Sequence, residues 1–339
     1  MKLSKIGLGA GTFSGFYDEF DNQIPHETVV TAFQNGINWV DTSPYYGDSE
    51  IRLGKVLQEI SKDFPRNTYM ISTKVGRYGY HKKDFDYSAE RVEKSVMTSL
   101  ERLGTDYLDY VFCHDVEFID DIDTVIHVAI PQLFKLKEKG VIRNVGISEI
   151  QYKKGQPLDI ILTYCHANIH NKQGVEKIKD FRRAGVKTVV MASPLSMGLL
   201  RSQGPPDWHP ASKELKDAVR ECVKVCSQEG VELADLSLRA AFSLAFGASN
   251  ISPSELGGET SDYVADGYVV GMLGESQVYD AIEALADSKY LVVDNAISSA
   301  ELPAEKIKSI EKYNACISKV SRILAPFQSY TWPSPDLDA

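Results

Sequence analysis

The sequence predicts an α/β protein folded as a closed (β/α)8 barrel, also called a TIM barrel. Three observations support this: eight short β-branched apolar runs, amphipathic stretches between them, and glycines that follow many of those stretches. Continuous apolar runs are typical of parallel strands buried on both faces. Eight strand–helix units favour a closed barrel over an open doubly wound sheet. We therefore expect one barrel domain over residues 1–339.

The predicted elements alternate along the whole chain. The predicted strands cover residues 6–9, 39–42, 69–74, 108–114, 144–148, 160–165, 187–192 and 268–271. The predicted helices cover residues 27–35, 50–60, 89–103, 125–139, 174–184, 213–228 and 277–286. Glycine at positions 36, 104, 140, 185 and 230 follows five of these helices, where a left-handed cap favours glycine.

Two segments interrupt this alternation. Only ten residues separate Ser148 from Asp159, which is too short for the usual helical crossover between parallel strands. We therefore expect the fifth helix to be truncated or missing. Residues 246–267 are polar and rich in glycine and serine, and they predict a surface loop inserted before strand eight.

Composition excludes several classes of function. The chain has 37 Lys and Arg against 47 Asp and Glu, a net charge of −10, which argues against nucleic acid as a partner. It has no apolar run long enough to span a membrane and no signal-peptide pattern at its start. Five scattered cysteines indicate a reducing, cytoplasmic setting rather than a disulfide framework. In Cys113-His114 and Cys165-His166 the neighbouring side chains point to opposite strand faces, so we expect no metal site.

Reactive side chains stand at the predicted strand ends, where barrel enzymes have their active sites. They are Asp41, Lys74, His114 and Ser148, with Tyr46 five positions after Asp41. Each residue alone is more often structural, but the combination predicts a proton-transfer site. A nearby ammonium favours the phenolate and lowers the pKa of a tyrosine, which then acts as an acid or base near neutral pH. Such a site needs a nicotinamide to move a hydride.

Four motifs carry a resemblance to the aldo-keto reductase superfamily. They are residues 41–47 (DTSPYYG), 72–74 (STK), 113–115 (CHD) and 145–148 (VGIS). The resemblance implies a barrel of the aldo-keto reductase type. It makes Tyr46 the general acid and base, with Lys74 and Asp41 tuning it. It also implies that His114 orients the substrate hydroxyl or carbonyl.

The same resemblance implies a dinucleotide site. Gly11, Thr12 and Phe13 would line the nicotinamide side, Ser148 would bind the carboxamide, and the segment after strand seven would lie along the pyrophosphate. The pyrophosphate residues are Ser193, Pro194, Leu195, Met197 and Gly198. The adenosine end would meet Gln277 and Asp280, in a stretch (271–280) that has two acids and no Lys or Arg. Because the 2′-phosphate of NADP needs positive charge, we expect NAD.

The leading hypothesis is an NAD-dependent dehydrogenase that oxidises the anomeric hydroxyl of an aldose to a lactone. Segments 113–118, 162–166, 193–200 and 203–210 resemble sugar dehydrogenases of the superfamily. This implies L-galactose or D-arabinose as substrate, in ascorbate or erythroascorbate-type biosynthesis. Two alternatives remain open: a non-catalytic binding or regulatory subunit on the same barrel, and an NADPH-dependent carbonyl reductase. We expect a monomer or weak homo-oligomer whose partner is the small-molecule aldose.

Overall fold

Eight parallel strands form the centre of the protein. The computed structural model describes residues 1–148, 158–247, 262–291 and 303–332. Its strands, β1 to β8, are Ile6–Gly9, Trp39–Asp41, Met70–Val75, Leu108–Cys113, Ile142–Ser148, Ile160–Tyr164, Thr188–Ala192 and Gly267–Gly271. Each strand pairs in parallel with the next, and β8 pairs with β1 to close the barrel. The predicted (β/α)8 barrel is confirmed.

Helices flank the barrel close to their predicted positions. They cover Ile24–Gln34, Ser49–Glu59, Ala89–Leu103, Ile122–Thr124, Ile130–Glu138, Gln173–Glu176, Ile178–Arg183, Lys213–Gln228, Leu233–Phe246, Glu275–Ser288 and Ala304–Leu324. The helix predicted over 125–139 instead begins with a π turn, Val125–Ala129, and continues as an α-helix with Pro131 in its first turn. The helix predicted over 174–184 is divided in two. All five predicted glycine caps have positive φ, between 61° and 88°.

The helix Leu233–Phe246 was not predicted, because its sequence has no amphipathic period. Twelve of its fourteen residues are buried, so small and apolar side chains occupy all its faces. Helix Ala304–Leu324 was also missed. The link expected to lack a fifth helix falls on residues 149–157, and most of the insert falls on 248–261; both lie outside the described residues.

Aromatic side chains fill the barrel interior. Trp39 and Phe112 are fully buried there, in a cluster with aliphatic residues from β6, β7 and β8. A Cβ on Gly7 would lie 2.5 Å from the Trp39 ring, and one on Gly146 would lie 2.6 Å from the Phe112 ring. Glycine is therefore required at both positions to leave room for the rings. Because the interior is packed, a site must lie at an end of the barrel.

Candidate active site

The four predicted catalytic residues meet at the carboxyl end of the barrel. Asp41 is the last residue of β2, Lys74 lies near the end of β3, and His114 directly follows β4. The strand register pairs Asp41 with Ser72, and Val75 with Cys113. This register brings three consecutive strand ends to the same level.

Asp41 and Lys74 form a buried ion pair. The Lys74 Nζ lies 2.6 Å from Asp41 Oδ2 and donates to the Thr42 carbonyl at 2.8 Å. Their side chains are only 6% and 2% exposed. Ser72 Oγ donates to Asp41 Oδ1 at 2.6 Å and accepts from Trp39 Nε1 at 2.9 Å. Both oxygens of the Asp41 carboxylate are therefore hydrogen-bonded. The opposite charge of Lys74 offsets the desolvation cost of burying the carboxylate inside the barrel.

Tyr46 lies over this pair at the mouth of the barrel. The Lys74 Nζ is 4.7 Å from the centroid of its ring. A Cβ on Gly11 would be 3.5 Å from the same ring, so Gly11 lies next to the phenol. Burial raises the pKa of Tyr46 well above its usual value, and the negative charges of Asp41 and Asp115 raise it further.

This direction corrects one expectation. Sequence reasoning predicted that the Lys74 ammonium would lower the pKa of Tyr46. The Asp41 carboxylate compensates the charge of Lys74, and desolvation of the phenol dominates. The protein therefore holds Tyr46 as a neutral phenol, which can donate a proton.

His114 is buried and neutral beside Tyr46. Its ring stands nearly perpendicular to that of Tyr46, with centroids 5.7 Å apart. Ser43 Oγ lies 3.2 Å from Nδ1, and Asp115 Oδ1 lies 3.3 Å from Nε2. Burial lowers the pKa of His114 to about 3. The Asp115 carboxylate raises this pKa, whereas the charges of Lys74 and Arg77 lower it. A neutral imidazole with one N–H can donate to a substrate oxygen.

The structure adds charged residues to which sequence reasoning gave no role. Arg77 lies just beyond β3, and its Nη1 is 2.5 Å from Asp115 Oδ2. Its Nη2 donates to the Tyr45 hydroxyl at 3.0 Å, and its guanidinium stacks 4.0 Å from the Tyr45 ring centroid. Applying the strand-end rule to the first residues past each strand would have found both Arg77 and Asp115.

The residues predicted to line the nicotinamide side follow β1 in a 3₁₀ turn, Ala10–Ser14. Gly11 lies next to Tyr46, because a Cβ at this position would contact the Tyr46 ring. Thr12 Oγ1 donates to the Met272 carbonyl at 2.8 Å and so ties this turn to the end of β8. The Phe13 side chain is fully buried in the core, which leaves its ring unable to line the mouth. Ser148 ends β5 opposite Leu162.

The predicted pyrophosphate segment forms a tight series of turns after β7. Ser193, Ser196, Met197 and Gly198 all have positive φ. Ser193 Oγ accepts from the Met197 amide at 2.9 Å, while Pro194 is buried and Leu195 packs against the core. The amides of Ser193, Ser196 and Gly198 donate to backbone carbonyls of Val269, Ser193 and Leu195. The turns are therefore held by their own hydrogen bonds, and their role at a pyrophosphate stays a prediction.

The predicted adenosine-side residues lie on the helix that follows β8. Gln277 Oε1 accepts from the Leu273 amide at 2.9 Å, and Asp280 is exposed one turn further on. Glu275, the first residue of this helix, accepts from Thr31 Oγ1 at 2.8 Å. The helix start thus bears negative charge, as the sequence predicted.

Two loops meet across the mouth. Arg201 Nη1 lies 3.1 Å from Asp18 Oδ2, and Trp208 Nε1 donates to the Phe16 carbonyl at 2.8 Å. Tyr17 packs edge-on against Trp208, with ring centroids 5.3 Å apart. The loop after β1 and the loop after β7 therefore cover one side of the site.

The described residues contain no cluster of acidic, His or Cys side chains that could hold a metal ion. Across the same ranges, every helix is too short or too polar to cross a membrane. The five cysteines, all within these ranges, are buried and form no disulfide.

Fold and site together define a class of protein. Residues 5–288 match the Aldo/keto reductase family, and the chain belongs to that family. An aldo-keto reductase from Bacillus halodurans has the same fold, with a TM-score of 0.62 at 23% identity over 94% of this chain and 92% of that one.

Two curated relatives are more similar in sequence. L-galactose dehydrogenase of Arabidopsis thaliana is 37% identical over 98% of this chain and 94% of its own length. D-arabinose 1-dehydrogenase of Saccharomyces cerevisiae is 41% identical over 71% of this chain and 76% of its own length.

Proposed function

We propose that this protein is an NAD-dependent aldose dehydrogenase that oxidises the anomeric hydroxyl of L-galactose or D-arabinose to the lactone. The observation that carries the proposal is the assembly of Tyr46, Lys74, Asp41 and His114 at one barrel mouth. The names of the two relatives support the choice of an aldose as substrate. The pathway would be the synthesis of an ascorbate-type compound.

Each residue has a proposed role in the oxidation. His114 would turn its Nε2–H from Asp115 Oδ1, which lies 3.3 Å away, to the reacting oxygen and so orient it, since its low pKa keeps the ring neutral. Tyr46 takes the hydroxyl proton at its phenolic oxygen, so its phenolate is the active form. The Lys74 ammonium, held by Asp41, lies beside the ring and stabilises the charge that develops there. Bound NAD supplies the chemistry that the side chains lack, which is acceptance of the hydride from the anomeric carbon.

The proposed cofactor site rests on the position of its residues. Gly11 lies next to the Tyr46 ring, and the segment from Ser193 to Gly198 would lie along the pyrophosphate. Thr12 and Ser148 would meet the nicotinamide end. Gln277 and Asp280 would meet the adenosine end. Glu275 and Asp280 would repel the phosphate of NADP, whereas a carboxylate can accept a hydrogen bond from a free ribose hydroxyl.

The two alternatives predict different behaviour. A binding or regulatory subunit needs no proton donor, yet the structure holds a complete and buried one at Tyr46. An NADPH-dependent carbonyl reductase would need a cation near Leu273, where the chain carries acids. We further propose a single barrel domain, a cytoplasmic location, and a monomer or weak homo-oligomer.

The test is the appearance of NADH when purified protein is mixed with NAD and a panel of aldoses. We expect L-galactose or D-arabinose to give the highest kcat/KM, and the product to be the lactone. Tyr46→Phe is the matched inactive control. If the protein binds NAD but oxidises no aldose, the proposal is wrong and the binding-protein alternative stands.

A further inference from the structure

Asp115 stands in an unusual place, beside the imidazole that orients the substrate. It directly follows His114 and has φ 50°, in the left-handed region that few residues other than glycine adopt. Its Oδ1 lies 3.3 Å from His114 Nε2. The residue is only 4% exposed, which makes an ionised carboxylate costly unless it is paired.

Arg77 provides that pairing through only one of the two carboxylate oxygens. Its Nη1 contacts Asp115 Oδ2 at 2.5 Å. The guanidinium itself is fixed by the Gly79 carbonyl at 3.2 Å and by the Tyr45 hydroxyl and ring. Arg77 therefore holds Oδ2 of the carboxylate. The other oxygen, Oδ1, lies beside His114 Nε2, the atom to which the proposed function brings the substrate.

We propose that Asp115 Oδ1 accepts a hydrogen bond from the C2 hydroxyl of the aldose, next to the reacting anomeric carbon. This inference rests on the proposed function, which puts the anomeric oxygen on His114 Nε2. Neighbouring hydroxyl oxygens of a sugar ring lie about one hydrogen-bond length apart. A group bound beside Nε2 on the substrate is therefore within reach of Oδ1.

The chemistry of a carboxylate suits this role. An ionised carboxylate only accepts hydrogen bonds, so it selects a hydroxyl donor over a hydrogen. A charged acceptor also makes a stronger bond than a neutral one. The rigid Arg77 pairing means that little ordering is needed when the sugar binds. Asp115 would thus be a specificity residue that requires an oxygen at C2.

The test combines substitution of Asp115 in the enzyme with removal of the C2 hydroxyl from the sugar. 2-Deoxy-D-ribose is D-arabinose without its C2 hydroxyl, and 2-deoxy-L-galactose is the matched analogue of L-galactose. The pair based on the faster sugar is used. For wild-type protein we expect kcat/KM to fall about 10- to 100-fold when the C2 hydroxyl is removed, as for loss of a hydrogen bond to a charged group.

Two variants remove the carboxylate. Asp115→Asn preserves shape, and Asp115→Gly preserves the left-handed backbone. We expect each to lower kcat/KM for the full sugar about 10- to 100-fold more than for the 2-deoxy sugar, because only the full sugar loses a hydrogen bond to Asp115. NAD affinity, measured by fluorescence titration, should not change. Asp120→Asn, an exposed carboxylate nearby, is the control and should leave both sugars unaffected.

Two outcomes would overturn the inference alone. One is an equal loss for both sugars in the Asp115 variants, which would mean that Asp115 only supports the structure around His114. The other is equal oxidation of both sugars by wild-type protein. If wild-type protein oxidises no aldose at all, the proposed function fails and this inference fails with it.

Discussion

Removing the charge of Lys74 should lower the free energy of unfolding of the protein. Lys74→Met leaves the Asp41 carboxylate, 6% exposed, without its partner at 2.6 Å, and it removes the donor from the Thr42 carbonyl. Breaking a buried pair by deleting one partner costs about 3–5 kcal/mol. Total stabilities are about 5–15 kcal/mol, so this is a large fraction.

A second change should reverse most of the loss. In the double variant Lys74→Met/Asp41→Asn no charge is left unpaired, and the asparagine oxygen can still accept from Ser72 Oγ. The remaining cost is the unsatisfied Thr42 carbonyl, about 1–3 kcal/mol. We therefore expect the double variant to be more stable than Lys74→Met, yet inactive.

The assay is guanidinium denaturation at pH 7 followed by far-UV circular dichroism, with aldose oxidation measured alongside. Lys82→Met is the control. Lys82 pairs with the exposed carboxylate of Asp120 at 3.0 Å, and loss of this pair should lower the free energy of unfolding by at most about 1 kcal/mol. A double variant no more stable than Lys74→Met would refute the reasoning. Wild-type activity in the double variant would refute the role of the pair in catalysis.

Three further predictions concern the reaction. Tyr46→Phe should lower kcat about 10²- to 10⁴-fold while NAD affinity is retained, with the exposed Tyr279→Phe as control; near-normal turnover would remove Tyr46 from the mechanism. Because the pKa of Tyr46 is raised and its phenolate is the active form, oxidation should rise about tenfold per pH unit between pH 7 and 9. A plateau below about pH 9, or a flat profile with a deuterium effect at the anomeric carbon, would contradict this. The kcat/KM with NAD should exceed that with NADP at least about tenfold, and Leu273→Lys should reduce this ratio. Equal kcat/KM with the two cofactors would show that Glu275 and Asp280 do not select NAD over NADP.

The barrel and its catalytic strand ends were predictable because each rests on a local pattern. Buried parallel strands are continuous apolar runs, and Asp41, Lys74 and His114 each lie at or within one residue of the end of one. Helix Leu233–Phe246 was not predictable in this way, since a helix buried on all sides loses its period.

Other features depend on contacts that no local pattern contains. The pairing of Arg77 with Asp115 needs the register of β3 against β4 and a left-handed turn after His114. The direction of the pKa shift of Tyr46 depends on how burial balances against charges on other strands.

The contact between Gly7 and Trp39 should couple substitutions on the neighbouring strands β1 and β2. The Trp39 ring occupies the space where a Cβ of residue 7 would stand, and its indole N–H donates to Ser72, which holds Asp41. A larger residue at position 7 is tolerated only with a smaller one at position 39, which removes that N–H. Among descendants of this chain, substitutions at the two positions should covary, and those that accept the exchange should show a compensating change at Ser72.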